Sequence, residues 1–254
     1  DQNSAKVIFF RMLRTAFSAG EEGRVSQIAK ILDGKFKLTP EERIQAYAVV
    51  MNTRGGSAES AAKEIMTTFQ KSGGNVSGEA LRAVGGLVFR RVNNIIGPFQ
   101  GMRLKGGTVD ALAGSIQQKV GALGKIQAAY DQVLATKDSY WGVAAFYQLG
   151  YARELIARDL ENPPEIKGAP HADVVKQLAG DAQAARKEAL AFYNKALEAV
   201  GKYLVYNEWA AKALSGVARI QGKKISFDDL IVRPDFVGAE VPENVAQEVK
   251  GKGD

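Results

Sequence analysis

The chain has 254 residues, of which 46% are hydrophobic and 24% charged, and its formal net charge is +6. These values exclude a disordered chain, a collagen-like chain and a disulfide-stapled mini-protein, and they leave ample material for a packed core. Cysteine is absent and His171 is the only histidine, so thiolate chemistry, disulfides and a histidine metal cage are excluded, and no metal or cofactor is expected.

Nearly every segment carries helical periodicity. Val7, Phe10, Leu13 and Phe17 form one apolar stripe, interrupted at Gly20 and Gly23. A second, shorter stripe of Val25, Ile28, Ala29 and Leu32 stops at Gly34. Thr39-Pro40-Glu41-Glu42 is a capping box: the threonine can cap free N–H groups, proline suits the first turn, and Glu42 can reach back. The helix it opens carries Ile44, Tyr47, Ala48 and Met51 and ends at Gly55-Gly56. Ser57 caps the next helix, with Ala61, Ala62, Ile65, Met66 and Phe69 on its stripe, and Gly73-Gly74 closes it. Ser77 opens a longer helix with Leu81, Val84, Val88, Val92 and Ile95 on one face and Arg82, Arg90 and Asn93 opposite. Gly97-Pro98 reads as a firm stop, and residues 97–107, with four glycines and a proline, read as a long loop.

Beyond that loop the helices lengthen. Ile116, Val120, Leu123, Tyr130 and Leu134 mark one that runs to about Thr136. Asp138-Ser139 caps the next, whose stripe is Trp141, Ala145, Leu149, Ala152 and Ile156. Phe146 and Tyr147 lie off that stripe, which places this helix between neighbours. Pro163-Pro164 and Pro170 bracket an irregular stretch before a very long helix from about His171 to Gly201, with an alanine-rich seam that implies close helix approach. Asn207 caps a final helix carrying Trp209, Leu214 and Val217. Residues 223–254 are expected to form an extended tail, disordered from about Asn244.

Helix starts near residues 5, 40 and 77 repeat at close to the ~34-residue period of a two-helix unit. Helix pairs that cannot bury their faces alone, stacked in series, make an α-solenoid. The expected fold is therefore all-α, an α-solenoid of stacked helix pairs, against the alternative of a globular bundle in which helix pairs happen to share a length. Residues 1–96 would hold short-helix repeats, residues 97–107 a loop, and residues 108–222 long-helix repeats, as two parts or one continuous solenoid.

Ala189-Leu190-Ala191-Phe192-Tyr193-Asn194-Lys195-Ala196-Leu197 resembles the second helix of a tetratricopeptide repeat (TPR), with Ala189, Tyr193 and Ala196 in that family's small–aromatic–alanine positions. Phe146, Leu149 and Gly150 resemble its first-helix pattern. Arg153 stands where the pattern expects a bulky aromatic. The string over residues 130–209, with Tyr140-Trp141-Gly142, a Pro-Pro loop, the alanine-rich helix and Tyr206-Asn207-Glu208-Trp209, is similar to envelope TPR proteins of delta-proteobacteria, some linked to gliding motility. The first 110 residues match only in helix-pair period. The resemblance implies a right-handed solenoid of stacked antiparallel helix pairs, and a non-catalytic protein-binding scaffold that is periplasmic or associated with the outer membrane. A chain starting at Asp1 without an initiator methionine reads as a processed protein or a piece of a longer one.

Signals for chemistry are weak. No phosphate-binding loop or nucleotide fingerprint occurs. Glu41-Glu42 and Asp228-Asp229 are sequence neighbours, which point apart on a helix rather than forming an acid/base pair. His171 follows Pro170 at a helix start and suits a surface or capping role. Trp141 and Trp209 fit packing between repeats better than ligand stacking. An enzymatic or ligand-binding alternative, such as a helical domain acting on peptidoglycan, would require a closed pocket with two convergent carboxylates.

Charge supplies the partner expectation. Residues 63–105 carry seven cations and two acids, a net +5 in one segment. Aromatics do not interleave with these charges as a nucleic-acid platform needs, so nucleic acid is not expected. No apolar run approaches the roughly 20 residues of a membrane span, and no transmembrane segment is expected. Arg82, Arg90 and Arg91, with Asn93 and Asn94, are the candidate contacts to a protein partner with an acidic surface or peptide. Trp141, Phe146, Leu149, Gly150, Ala189, Tyr193, Ala196 and Trp209 are the candidate repeat-packing positions.

Overall fold

A computed structural model describes residues 1–222. Helix covers 79% of them and no strand forms among them, in keeping with the all-α expectation. The tail expected over residues 223–254 lies outside the described residues.

Among the described residues ten helices follow one another: α1 (Gln2–Ser18), α2 (Glu22–Lys35), α3 (Pro40–Met51), α4 (Ala58–Lys71), α5 (Gly78–Asn93), α6 (Ile96–Gly101), α7 (Val109–Ala135), α8 (Ser139–Glu161), α9 (His171–Tyr203) and α10 (Glu208–Gln221). Local signals set most of the starts. The Thr39 hydroxyl accepts from the Glu42 N–H while the Glu42 carboxylate accepts from the Thr39 N–H, completing the capping box. Asp138 caps α8 through the Trp141 N–H at 2.9 Å, and Asn207 caps α10 through the Ala210 N–H at 2.9 Å. Ser57 and Ser77 stand at helix starts without a side-chain capping bond.

The packing is serial. With α1, α3, α5, α8 and α10 as first helices, each packs on the next: α1 on α3, α3 on α5, α5 on α8, α8 on α10. The second helices α2, α4, α7 and α9 each pack on their own first helix and on the first helix of the following pair. Among the described helices only the short α6 stands outside this rule, lying against α7 and α8. Helices α1, α3 and α5 start at Gln2, Pro40 and Gly78, evenly 38 residues apart.

Three local expectations change. Gly97-Pro98 does not end a helix but sits in the first turn of α6, where a proline's missing N–H has no intrahelical partner to lose. The loop expected over residues 97–107 thus shortens. Its remainder is tied down by a bridge in which the Gly107 N–H donates to the Glu165 carbonyl at 2.9 Å and the Lys167 N–H donates back to Gly107 at 3.1 Å. Gly34 lies inside α2, which runs on to Lys35. On α1 only Leu13 and Ala16 are buried, and Val7 and Phe17 remain exposed; among the described residues α1 packs on α2 and α3.

Candidate functional site

The joints between first helices hold the most specific geometry. Trp141 of α8 lies flat against Gly85-Gly86 of α5; a Cβ on Gly86 would stand 2.9 Å from the indole nitrogen and one on Gly85 2.8 Å from the ring. The indole N–H donates to the Arg82 carbonyl at 3.0 Å. Phe89 lies 4.9 Å from Trp141 and 5.4 Å from Trp209 between ring centres, so α5, α8 and α10 share one aromatic joint.

Tyr193 is the counterpart at the α8–α9–α10 joint and is fully buried. Its hydroxyl donates to Glu154, whose carboxylate also receives both arms of Arg219 at 2.8 and 2.9 Å. Burial pushes the Glu154 carboxyl up, but the bonds from Arg219 and Tyr193 more than offset it and hold the group below its ordinary range. Burial and the same carboxylate push the Tyr193 phenol up. Leu149, Gly150, Ala189 and Ala196 are buried with Tyr193, while Phe146, Trp141 and Trp209 are half-buried at the seams. Arg153, standing in for an aromatic, lays its flat guanidinium 4.2 Å from the centre of the Phe192 ring and donates to Glu188 and Gln127.

A groove of about 270 Å³ runs across α1, α3 and α5, lined by Phe10, Arg14, Gln45, Val49, Asn52 and Glu79. Arg14 and Glu79 face each other at 3.6 Å, both largely exposed. Arg90 lies three turns beyond Glu79 on the same face of α5 and donates to the Asn52 side-chain oxygen at 3.3 Å.

The five candidate contact residues on and just after α5 lie in different surroundings. Arg82 pairs with Asp138 at 3.3 Å and covers the Tyr140 ring at 4.7 Å, so it braces the cap of α8. Arg90 borders the groove. Arg91 and Asn94 are exposed and make no side-chain hydrogen bond among the described residues. Asn93 turns inward: its oxygen accepts from the Tyr130 hydroxyl at 2.8 Å and from Gln148 at 2.9 Å. Placed opposite an apolar stripe, Asn93 looks solvent-facing in sequence; α7 and α8 cover that side of α5 and supply its partners.

Two polar joints have no counterpart in the sequence reading. Arg43 on α3 donates to Asp33 of α2 at 2.9 Å and Glu64 of α4 at 3.2 Å, and the Tyr47 hydroxyl adds a bond to Asp33 at 3.0 Å. Burial and that carboxylate push the Tyr47 phenol up to about 12. The two carboxylates that converge here do so on a guanidinium, which makes a clasp between helices. Lys119 of α7, nearly fully buried, pairs with Asp159 of α8 and donates to the Met102 carbonyl at 2.8 Å, fastening the segment after α6. Its only sequence signal is a lysine one residue before Val120 on the apolar stripe.

The chain matches no family model, no curated protein and no solved structure.

Proposed function

We propose that this chain is a non-catalytic protein-interaction scaffold, a right-handed α-solenoid of TPR type. The observation that carries the reading is the serial packing rule, in which every first helix lies on the next and borders a continuous face. Antiparallel pairing fits the contacts. Gly150 in mid-α8 meets Tyr193, while Glu161, later in α8, meets Arg186, earlier in α9. The groove across α1, α3 and α5 is the docking face, and Arg14 and Arg90 meet an acidic surface or peptide there. Arg91 and Asn94 extend the contact along α5, and Arg82 acts through the α8 cap. The proposed setting is a bacterial envelope, at the periplasm or outer membrane, within a multiprotein machine of the kind used in gliding motility; what supports it is the resemblance over residues 130–209.

The test is cross-linking in the native envelope, followed by binding to the recovered partner in solution. Arg14→Glu with Arg90→Glu should weaken binding about tenfold or more and reduce its salt dependence. Unchanged binding by a folded double variant would remove the groove from the reading.

A further inference from the structure

We propose that the turn between α9 and α10 is a membrane-contact tip that inserts shallowly into the headgroup layer of an anionic bilayer. Three of the nine exposed large hydrophobics among the described residues fall within four consecutive positions there: Tyr203, Leu204 and Tyr206, at 53%, 73% and 61% exposure. Such clustering is unlike the scattered apolar exposure of an ordinary surface.

The backbone adds a second, independent observation. Leu204 ends α9 in the left-handed conformation, at φ 53° and ψ 38°. Glycine is the usual residue at such a helix end because it has no Cβ to clash; leucine is strained there. The chain thus accepts both strain and an exposed leucine at one position, and nothing among the described residues offsets either cost. Burial of that side chain outside the protein does.

Size and charge identify the occupant. The three side chains offer on the order of 400 Å², about half of what one side of a stable protein interface needs. A bilayer interface has no such minimum. It favours this composition, a leucine at the point with tyrosines whose rings sit in the headgroup layer and whose hydroxyls stay wet. The surroundings are cationic. Lys202 adjoins the tip, and the Asn207 amide reaches the Tyr140 carbonyl at 3.5 Å, bringing the start of α8 and with it Lys137 to the same end. Lys137 and Lys202 have no ion-pair partner among the described residues, whereas Asp138 is paired with Arg82 and Glu208 with Lys212. Glu198, one turn before Lys202, is the opposing exposed acid. Two unpaired lysines against one glutamate favour anionic headgroups. No helix among the described residues is long and apolar enough to cross a membrane, so the contact is interfacial.

The experiment is co-sedimentation of the full chain with phosphatidylcholine vesicles, with and without phosphatidylglycerol. The wild type should pellet with phosphatidylglycerol vesicles and more weakly with phosphatidylcholine alone. Leu204→Gly combined with Tyr206→Ser should lose about tenfold in apparent affinity while melting no lower than wild type, since the glycine relieves the left-handed strain. Lys137→Glu with Lys202→Glu should lose only the preference for the anionic vesicles. A wild type that stays in the supernatant, or a tip variant that binds equally well, overturns the proposal. So does self-association of the wild type without lipid that the tip variant abolishes, which would make the tip a contact between copies.

Discussion

The ring of Tyr193 occupies the space that a side chain on Gly216 would need: a Cβ built there stands 2.4 Å from the ring. Gly150 approaches the same ring from α8, where a Cβ would lie 2.7 Å away and 3.1 Å from the Ala189 carbonyl. Two glycines on neighbouring first helices therefore grip one tyrosine on the second helix between them, and α8, α9 and α10 lock at a single point.

Replacing either glycine should be costly despite alanine's better helix propensity. Gly216→Ala and Gly150→Ala should each destabilise by about 1–3 kcal/mol through overpacking. Gly121→Ala and Gly124→Ala in α7, where a Cβ meets nothing within 4 Å, should instead stabilise by about 0.5–1 kcal/mol. Urea melts of the four variants check the contrast, and equal shifts in all four would refute the grip.

The Glu154 cluster predicts the acid response. Its carboxyl is held below the ordinary range in the folded state, so it contributes stability that is complete above the unfolded value and lost as pH falls through the folded one. Stability should decline below the usual glutamate range, and Glu154→Gln should flatten that decline while costing about 1–3 kcal/mol at neutral pH. Melting curves across a pH series distinguish the two proteins.

The two tryptophans should respond differently to loss of the indole nitrogen. Trp141 donates to the Arg82 carbonyl, whereas the buried Trp209 nitrogen has no hydrogen-bond partner among the described residues. Trp141→Phe should cost more than Trp209→Phe by about 1 kcal/mol. Full truncation of either to alanine should cost about 3–5 kcal/mol. Thermal unfolding of the four variants measures this, and an unchanged melting temperature for Trp209→Ala would disprove its role in the joint.

The Lys119–Asp159 pair is removed from water on both sides, with 4% and 13% of the side chains exposed. Lys119→Met alone leaves a stranded carboxylate and should cost about 3–5 kcal/mol. Adding Asp159→Leu should recover most of the loss. A double-mutant cycle in denaturant shows the non-additivity, and two additive losses would contradict the pairing.

Much of the fold was legible along the chain because its signals are local. The Thr39–Glu42 box, the Asp138 and Asn207 caps and the apolar stripes depend on residues three or four positions apart, and the helices begin where those signals lie. The even spacing of α1, α3 and α5 belongs to the same class, since it follows from helix and loop lengths. Gly97-Pro98 was ambiguous for the same local reason: the pair suits the first turn of a helix as well as a stop.

The sites depended on residues distant in sequence, and only the tertiary structure decided them. A polar residue opposite an apolar stripe looks solvent-facing until a second layer of helices covers it, as α7 and α8 cover Asn93. Arg82 and Arg90 count equally as surface charge in the sequence, yet one braces a helix cap and the other borders a groove. Gly85-Gly86 and Gly216 carry no helix-local purpose; their meaning is a ring delivered from another helix. Helical order is encoded within a turn or two of the chain, whereas a joint between helices exists only once segments tens of residues apart have been brought together, and burial and pairing are properties of that meeting.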